Sequence, residues 1–189
     1  YNDNYEQYAT AADKVFDHGA DVIWPHADRP EVRSAYCWVG PDRTDDSGLW
    51  LHCDGAGVKH IENFYRDCAA NVTSIDYIIG GVWPGFDDTL VRWAWDDGMD
   101  PHNLRPRIIC RNTTRGNTLE LTWRAVAEYI SIQRESLYKL PPMPIVQVVT
   151  WNDWAEASAV EPDMESGYKN LRICRKYIEA IQKNAGVAV

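Results

Sequence analysis

The chain has no C-x-x-C pair, no H-E-x-x-H, no basic stripe and no run approaching the ~20 apolar residues of a membrane span. Each absence removes a class. Cys37, Cys53, Cys68, Cys110 and Cys174 suggest neither a zinc ribbon nor a thioredoxin-type redox pair, and they read as scattered, buried thiols. His18, His26, His52, His60 and His102 show no metal-ligand spacing, so no metal or other cofactor is expected. The segment DGAGVKH at 54–60 has a Gly-x-Gly but no third spaced glycine, so it reads as the start of a helix rather than a dinucleotide fingerprint. A net charge of −9 opposes a phosphate backbone, and nucleic acid is not an expected partner.

The chain reads as soluble, without a membrane span. Opening on Tyr1 rather than methionine, it is expected to be processed or excerpted. Asn71-Val-Thr73 and Asn112-Thr-Thr114 fit the N-glycosylation acceptor pattern, which supports a secreted or secretory-pathway location, although such tripeptides also arise by chance. What the chain has in excess is aromatic residues. Nine Trp and ten Tyr in 189 residues can fill a core or stack on the apolar faces of sugars.

One domain, 1–189, is expected at this length. Helical spacing occurs at 5–18, with Gly19 as a stop, and again through Val58, Ile61, Phe64, Tyr65 and Cys68. It recurs over 119–133 through Leu119, Trp123, Val126 and Ile130, and finally through Tyr168, Leu171, Cys174, Ile178 and Ile181. Between these helices, 20–24, 75–82 and 145–150 read as strands, the last as one packed on both faces. The stretch 25–48 is expected to be a long loop with a short extended piece at 35–39, and 83–107 an irregular excursion. The alternation predicts α/β architecture with neighbouring parallel strands at 22–24, 77–79 and 146–149 whose carboxyl ends share one face. A full (β/α)₈ barrel needs about 250 residues. The expectation is therefore a partial (β/α)₈ TIM-type barrel of about the last three or four βα units, or a small open sheet.

The chemistry-bearing residues follow strand ends, where ligands bind in α/β folds. In VVTWNDWAEASAVEPD at 148–163, Asp153 and Glu156 are three apart and Glu161 follows. Glycosidic cleavage commonly uses two carboxyl groups, one protonating the leaving oxygen and one acting as base or nucleophile. Alternatively, Asn152 or Asp153 caps a short helical turn. Trp151 and Trp154 are candidates for a sugar-stacking wall or for core filling. Asp87, Asp88 and Arg92 are candidates to bind sugar hydroxyls, or else form an ion pair that shapes their loop. Trp24 and His26 close the first strand and can face the same mouth, although a structural role also suits the lone histidine.

Two motifs together resemble a family. VTWNDWAEASAVEPD, preceded by VWPGFDDTLVRW, is similar to the carboxyl-terminal half of glycoside hydrolase family 99, the endo-α-mannosidase-type barrels. Asn152, Trp154, Glu156, Glu161 and Pro162 match that family's N-E-W-x-E-G-x-x-I-E-P segment, and Pro84 to Thr89 match P-G-[YF]-D-[DN]-T. The resemblance covers about 20–180. It implies catalysis by Asp153 and Glu156, with Glu156 as general acid and then base. It also places Trp83 beside Asp87, Asp88, Arg92, Trp151, Asn152, Trp154 and Glu161 as substrate-binding residues. Asp153 stands where family 99 has Glu, and Ala157 where it has Gly. The W-N-D form also resembles glycoside hydrolase family 71, the α-1,3-glucanases, whose chemistry is inverting. The implied function is hydrolysis of an α-linked oligosaccharide or polysaccharide, either α-mannoside or α-glucan, with a second polypeptide segment completing the barrel. The alternative is an inactive barrel relative that binds glycans or serves in assembly.

Overall fold

The computed structural model describes residues 22–23, 34–44, 50, 55–70, 77–89, 91, 107–135 and 145–184. In chain order these form β1 (Val22–Ile23), β2 (Ser34–Tyr36), α1 (Val58–Ala70), β3 (Tyr77–Val82), β4 (Phe86–Asp87), β5 (Ile108–Ile109), β6 (Asn112–Thr113), β7 (Gly116–Asn117), α2 (Thr118–Glu135), β8 (Ile145–Val148) and α3 (Lys169–Asn184). The expected helix at 5–18 lies outside the described residues.

The architecture is mixed α/β, built on a small parallel sheet of order β1-β2-β3-β8. The expected parallel pairing of the second and third predicted strands is present, with Ile79 opposite Ile145 and Val82 opposite Val148. The first and second predicted strands are not neighbours. β2 lies between them, aligning Ala35 with Val22 on one side and Ile78 on the other. β2 overlaps the short extended piece expected at 35–39; three residues are too few to display a period of two, so its place in the sheet is not marked by the sequence.

β8 departs from its expected burial. All four of its residues are half-buried, because β3 is its sole ladder partner among the described residues. Within β3, Gly81 admits a close crossing: a Cβ there would sit 2.1 Å from the Cys37 carbonyl oxygen.

Helices α1 and α2 bury the faces their spacing predicts. Ile61, Phe64, Tyr65 and Cys68 of α1, and Leu119, Trp123, Val126 and Ile130 of α2, all join one core with Val82 and Trp83. Each large apolar side chain buried in this way contributes about 1.5–3 kcal/mol. The start of α1 is capped from a distance by Asp42, whose carboxylate accepts from the Gly57 and Lys59 amides. Asn117 does the same locally for α2, accepting from Glu120.

Much of the aromatic excess is core. Tyr65 stacks on Tyr129 at 5.0 Å and Trp123 on Tyr177 at 5.9 Å. Cys37, Cys68 and Cys174 are buried as free thiols. Burial and neighbouring Asp67 push the Cys68 thiol up to about 12, so it stays protonated and inert at neutral pH.

The inward face of α3 is rotated from the one predicted. Asn170 and Cys174 are buried, and Ile173, Tyr177 and Ile181 pack on the core, whereas Tyr168 and Ile178 are exposed. The asparagine at the head of the true stripe concealed it. No helix among the described residues is long and apolar enough to cross a membrane.

Candidate functional site

β3 and β8 run in parallel, so their carboxyl ends deliver two loops to the same end of the sheet. The loop after β8 is stapled at its base. The Thr150 amide donates to the Ser158 carbonyl at 3.0 Å, and the Val160 amide donates back to the Thr150 carbonyl at 3.1 Å. The two hydroxyls of Thr150 and Ser158 lie 3.0 Å apart. Ser158, Ala159 and Val160 are buried, so the return leg is anchored in the core while the tip projects. The Val149–Thr150 peptide is cis.

At the tip, Trp151 is 53% and Trp154 48% exposed. The Glu161 carboxylate accepts from the Trp154 indole N–H at 3.1 Å, fixing that ring. Asp153 Oδ1 accepts from the Glu156 amide at 3.1 Å, closing the turn 154–157. Asp153 therefore does what a cap does, and its position also brings its charge beside Glu156. Asn152 is exposed.

The Glu156 carboxyl is half-buried and takes no hydrogen bond from the described residues. Burial pushes it above the ordinary carboxylate range, the neighbouring Asp153 charge adds to this, Arg107 opposes it and Asp88 adds to it. A raised proton affinity is the direction of shift that a general acid requires. Asp153 supplies a nearby carboxylate.

The loop after β3 joins this turn directly: the Asp87 amide donates to the Glu156 carbonyl at 2.8 Å. Gly85, with φ of 155°, lets the segment 109–111 pack against this loop, since a Cβ there would come within 2.9 Å of Arg111 Cγ. The side chains of this loop, however, are mostly frame. Trp83 is fully buried and donates its indole N–H to the Ala56 carbonyl at 2.9 Å, so it belongs to the core and is not the substrate-binding residue expected. Its position directly after an apolar strand places it in the core layer. Asp88 is 7% exposed and accepts from Arg107 Nε and the Arg107 amide, which makes it the loop-shaping ion pair, with Arg107 as partner. Asp87 Oδ1 accepts from the amide and hydroxyl of Thr89 and closes a local turn. Trp24, His26 and Arg92 lie outside the described residues.

The structure adds residues that the motifs did not indicate. Arg107 lies over the rings of Trp50 and Phe86 at 5.8 and 5.7 Å. Arg111 Nη2 donates to the carbonyls of Ala157 and Ala159, tying the β6–β7 hairpin to the carboxylate-bearing turn. A cavity of about 590 Å³ opens between that hairpin and the first turn of α3, bordered by Pro84, Arg111, Asn117, Trp154, Asp163 and Asn170. Neither Asp153 nor Glu156 borders it, and Trp154 is the point of contact between cavity and turn. No cluster of His, Cys, Asp and Glu suited to a metal ion occurs among the described residues.

A scan against protein-family models finds no match to the chain, and a search of curated proteins finds none either.

Proposed function

We propose that the chain is a glycoside hydrolase-like domain that cleaves an α-linked glycan, α-mannoside or α-glucan, through Asp153 and Glu156. The observation that carries this reading is Glu156, half-buried beside a second carboxylate with its proton affinity raised, at the end of a parallel strand. Glu156 protonates the departing glycosidic oxygen, and Asp153 serves as base toward a water or a sugar hydroxyl. Trp151 and Trp154, both exposed, offer ring faces to the sugar. The sheet is read as part of a (β/α)₈-type barrel, with further strands from another segment covering half-buried β8. Secretory residence goes with this reading. Asn112, of one acceptor tripeptide, is exposed on the β6–β7 hairpin, whereas Asn71 lies outside the described residues.

The test is turnover on a panel of α-glucans and α-mannans by the parent chain and Glu156→Gln. A loss of about 10² to 10⁴ in rate with binding retained is expected. Full turnover by Glu156→Gln overturns the assignment. The use of Asp153 Oδ1 within the turn favours a second reading, glycan binding without hydrolysis. That reading gains if the parent binds glycans of the panel and cleaves none.

A further inference from the structure

The cavity between the β6–β7 hairpin and α3 has an unusual lining. Three amides border it, Asn112, Asn117 and Asn170, together with the indole of Trp154. Asn170 is the residue that decides the matter. It sits in the first turn of α3 at 5% exposure, and its Nδ2 is a buried donor with no partner among the described residues. Buried polar groups are nearly always hydrogen-bonded, so an orphaned amide in a cavity wall calls for a ligand atom. Rotation about χ2 interchanges its oxygen and nitrogen, so the same side chain can present a donor or an acceptor to that space.

The remaining lining selects the kind of ligand. Arg111 and Lys169 are balanced by Asp163 and Glu165, so neither an anion nor a cation is favoured overall. Asp163 is already engaged: the hydroxyl and amide of Ser166 hold its carboxyl below the usual carboxylate range. Arg111 is engaged on the carbonyls of Ala157 and Ala159. Asn117 Nδ2 donates to the Arg111 carbonyl and to Asn112 Oδ1, so what remains is the Asn170 amide beside an aromatic ring fixed by Glu161, a neutral pair that suits a sugar hydroxyl above an apolar sugar face. A volume of about 590 Å³ falls within the range of ligand sites.

We infer that this cavity is a binding subsite for a neutral hexopyranose unit, separate from the Asp153–Glu156 pair and joined to it through Trp154. The inference rests on the glycan reading above but not on hydrolysis.

The experiment measures binding of an α-1,3-linked glucose tetrasaccharide and an α-linked mannose tetrasaccharide to the full chain. It is done in a Glu156→Gln background, by calorimetry and by the Trp154 indole ¹H–¹⁵N resonance. Asn170→Leu and the isosteric Asn170→Asp are expected to weaken binding about tenfold, as the loss of one well-placed hydrogen bond does. Asn170→Leu is also expected to leave the thermal midpoint unchanged or raised, because it removes an unsatisfied donor; a purely structural asparagine would lower it. Affinities within about twofold of the parent for both variants overturn the subsite, as does the absence of saturable binding at ~10 mM sugar. Inorganic phosphate displacing the indole shift with no response to either sugar also overturns it. If Asn170 variants weaken binding while the chain with Glu156 intact shows no turnover, the subsite stands and the hydrolase reading falls. If Glu156→Gln abolishes turnover while Asn170 variants bind like the parent, the subsite alone falls.

Discussion

The loops that follow β3 and β8 are built from similar material and put it to opposite uses. Each leaves the same parallel sheet, and each carries tryptophan and two acids within a few residues. After β3, Trp83, Phe86 and Val91 are buried, and Asp88 faces a guanidinium. After β8, Trp151 and Trp154 stand half in water, and among the described residues neither Asp153 nor Glu156 makes a salt bridge. Asp88, with a guanidinium against it, is part of the frame, whereas burial first and the neighbouring Asp153 second raise the proton affinity of Glu156.

The contrast can be broken at its strongest point by exchanging function for stability. Glu156→Gln is expected to lower hydrolysis by about 10² to 10⁴ while leaving the fold intact, as measured by turnover and circular dichroism. Asp88→Ala should do the reverse, destabilising the chain by about 2–3 kcal/mol in urea titration. This is less than for a fully buried pair, since Arg107 is 41% exposed. Equal effects of the two changes on stability would dissolve the distinction between the loops.

A smaller effect is expected at Ala157, whose φ of 51° lies in the left-handed region. Ala157→Gly should raise stability by about 0.5–1 kcal/mol in the same titration, the relief of strain exceeding the entropy cost of glycine. The smallest effect follows from the raised proton affinity of Glu156. Below the ordinary Glu value of ~4.3 the carboxyl is neutral in both folded and unfolded chains and costs nothing. As pH rises through that value the unfolded chain ionises first, so stability falls until folded Glu156 ionises in turn. Relative to the parent, Glu156→Gln should therefore gain well under ~1 kcal/mol at pH 7, since solvent screens a half-exposed group, and nothing at pH 3. A constant difference across that range would show that Glu156 does not titrate as described.

The long periodic segments were legible in the sequence because spacing alone fixes which side chains meet. Ile61, Phe64 and Cys68 or Leu119, Trp123 and Val126 can face only one way on a helix. The parallel pairing of β3 with β8 was legible for a similar reason, from two apolar runs separated by a helix. β2 was legible only as a short extended piece at 35–39, and its place between β1 and β3 was not, because three residues cannot show alternation. Nor was the frame role of Trp83, since a tryptophan at a strand end has the same letter whether it faces the core or a ligand. The partner of Asp88 stands nineteen positions away, outside both motifs, and no local pattern names Arg107. Asn170 had a signal: with Cys174, Tyr177 and Ile181 it completes a helical stripe, and a polar residue in such a stripe invites the question of what satisfies it.

Arg111 gives the two places a common thermodynamics. One guanidinium nitrogen holds the Ala157 carbonyl of the turn that carries Glu156 and the Ala159 carbonyl of its return leg, and the same side chain borders the cavity. Occupancy of the cavity and protonation of Glu156 are thus subject to a single linkage relation. Whatever factor a bound sugar applies to the proton affinity of Glu156, protonation must return to the sugar. Titrating the turn is therefore a way of weighing the cavity, and the affinity of the proposed sugar read as a function of pH measures how strongly Arg111 and Trp154 together connect them.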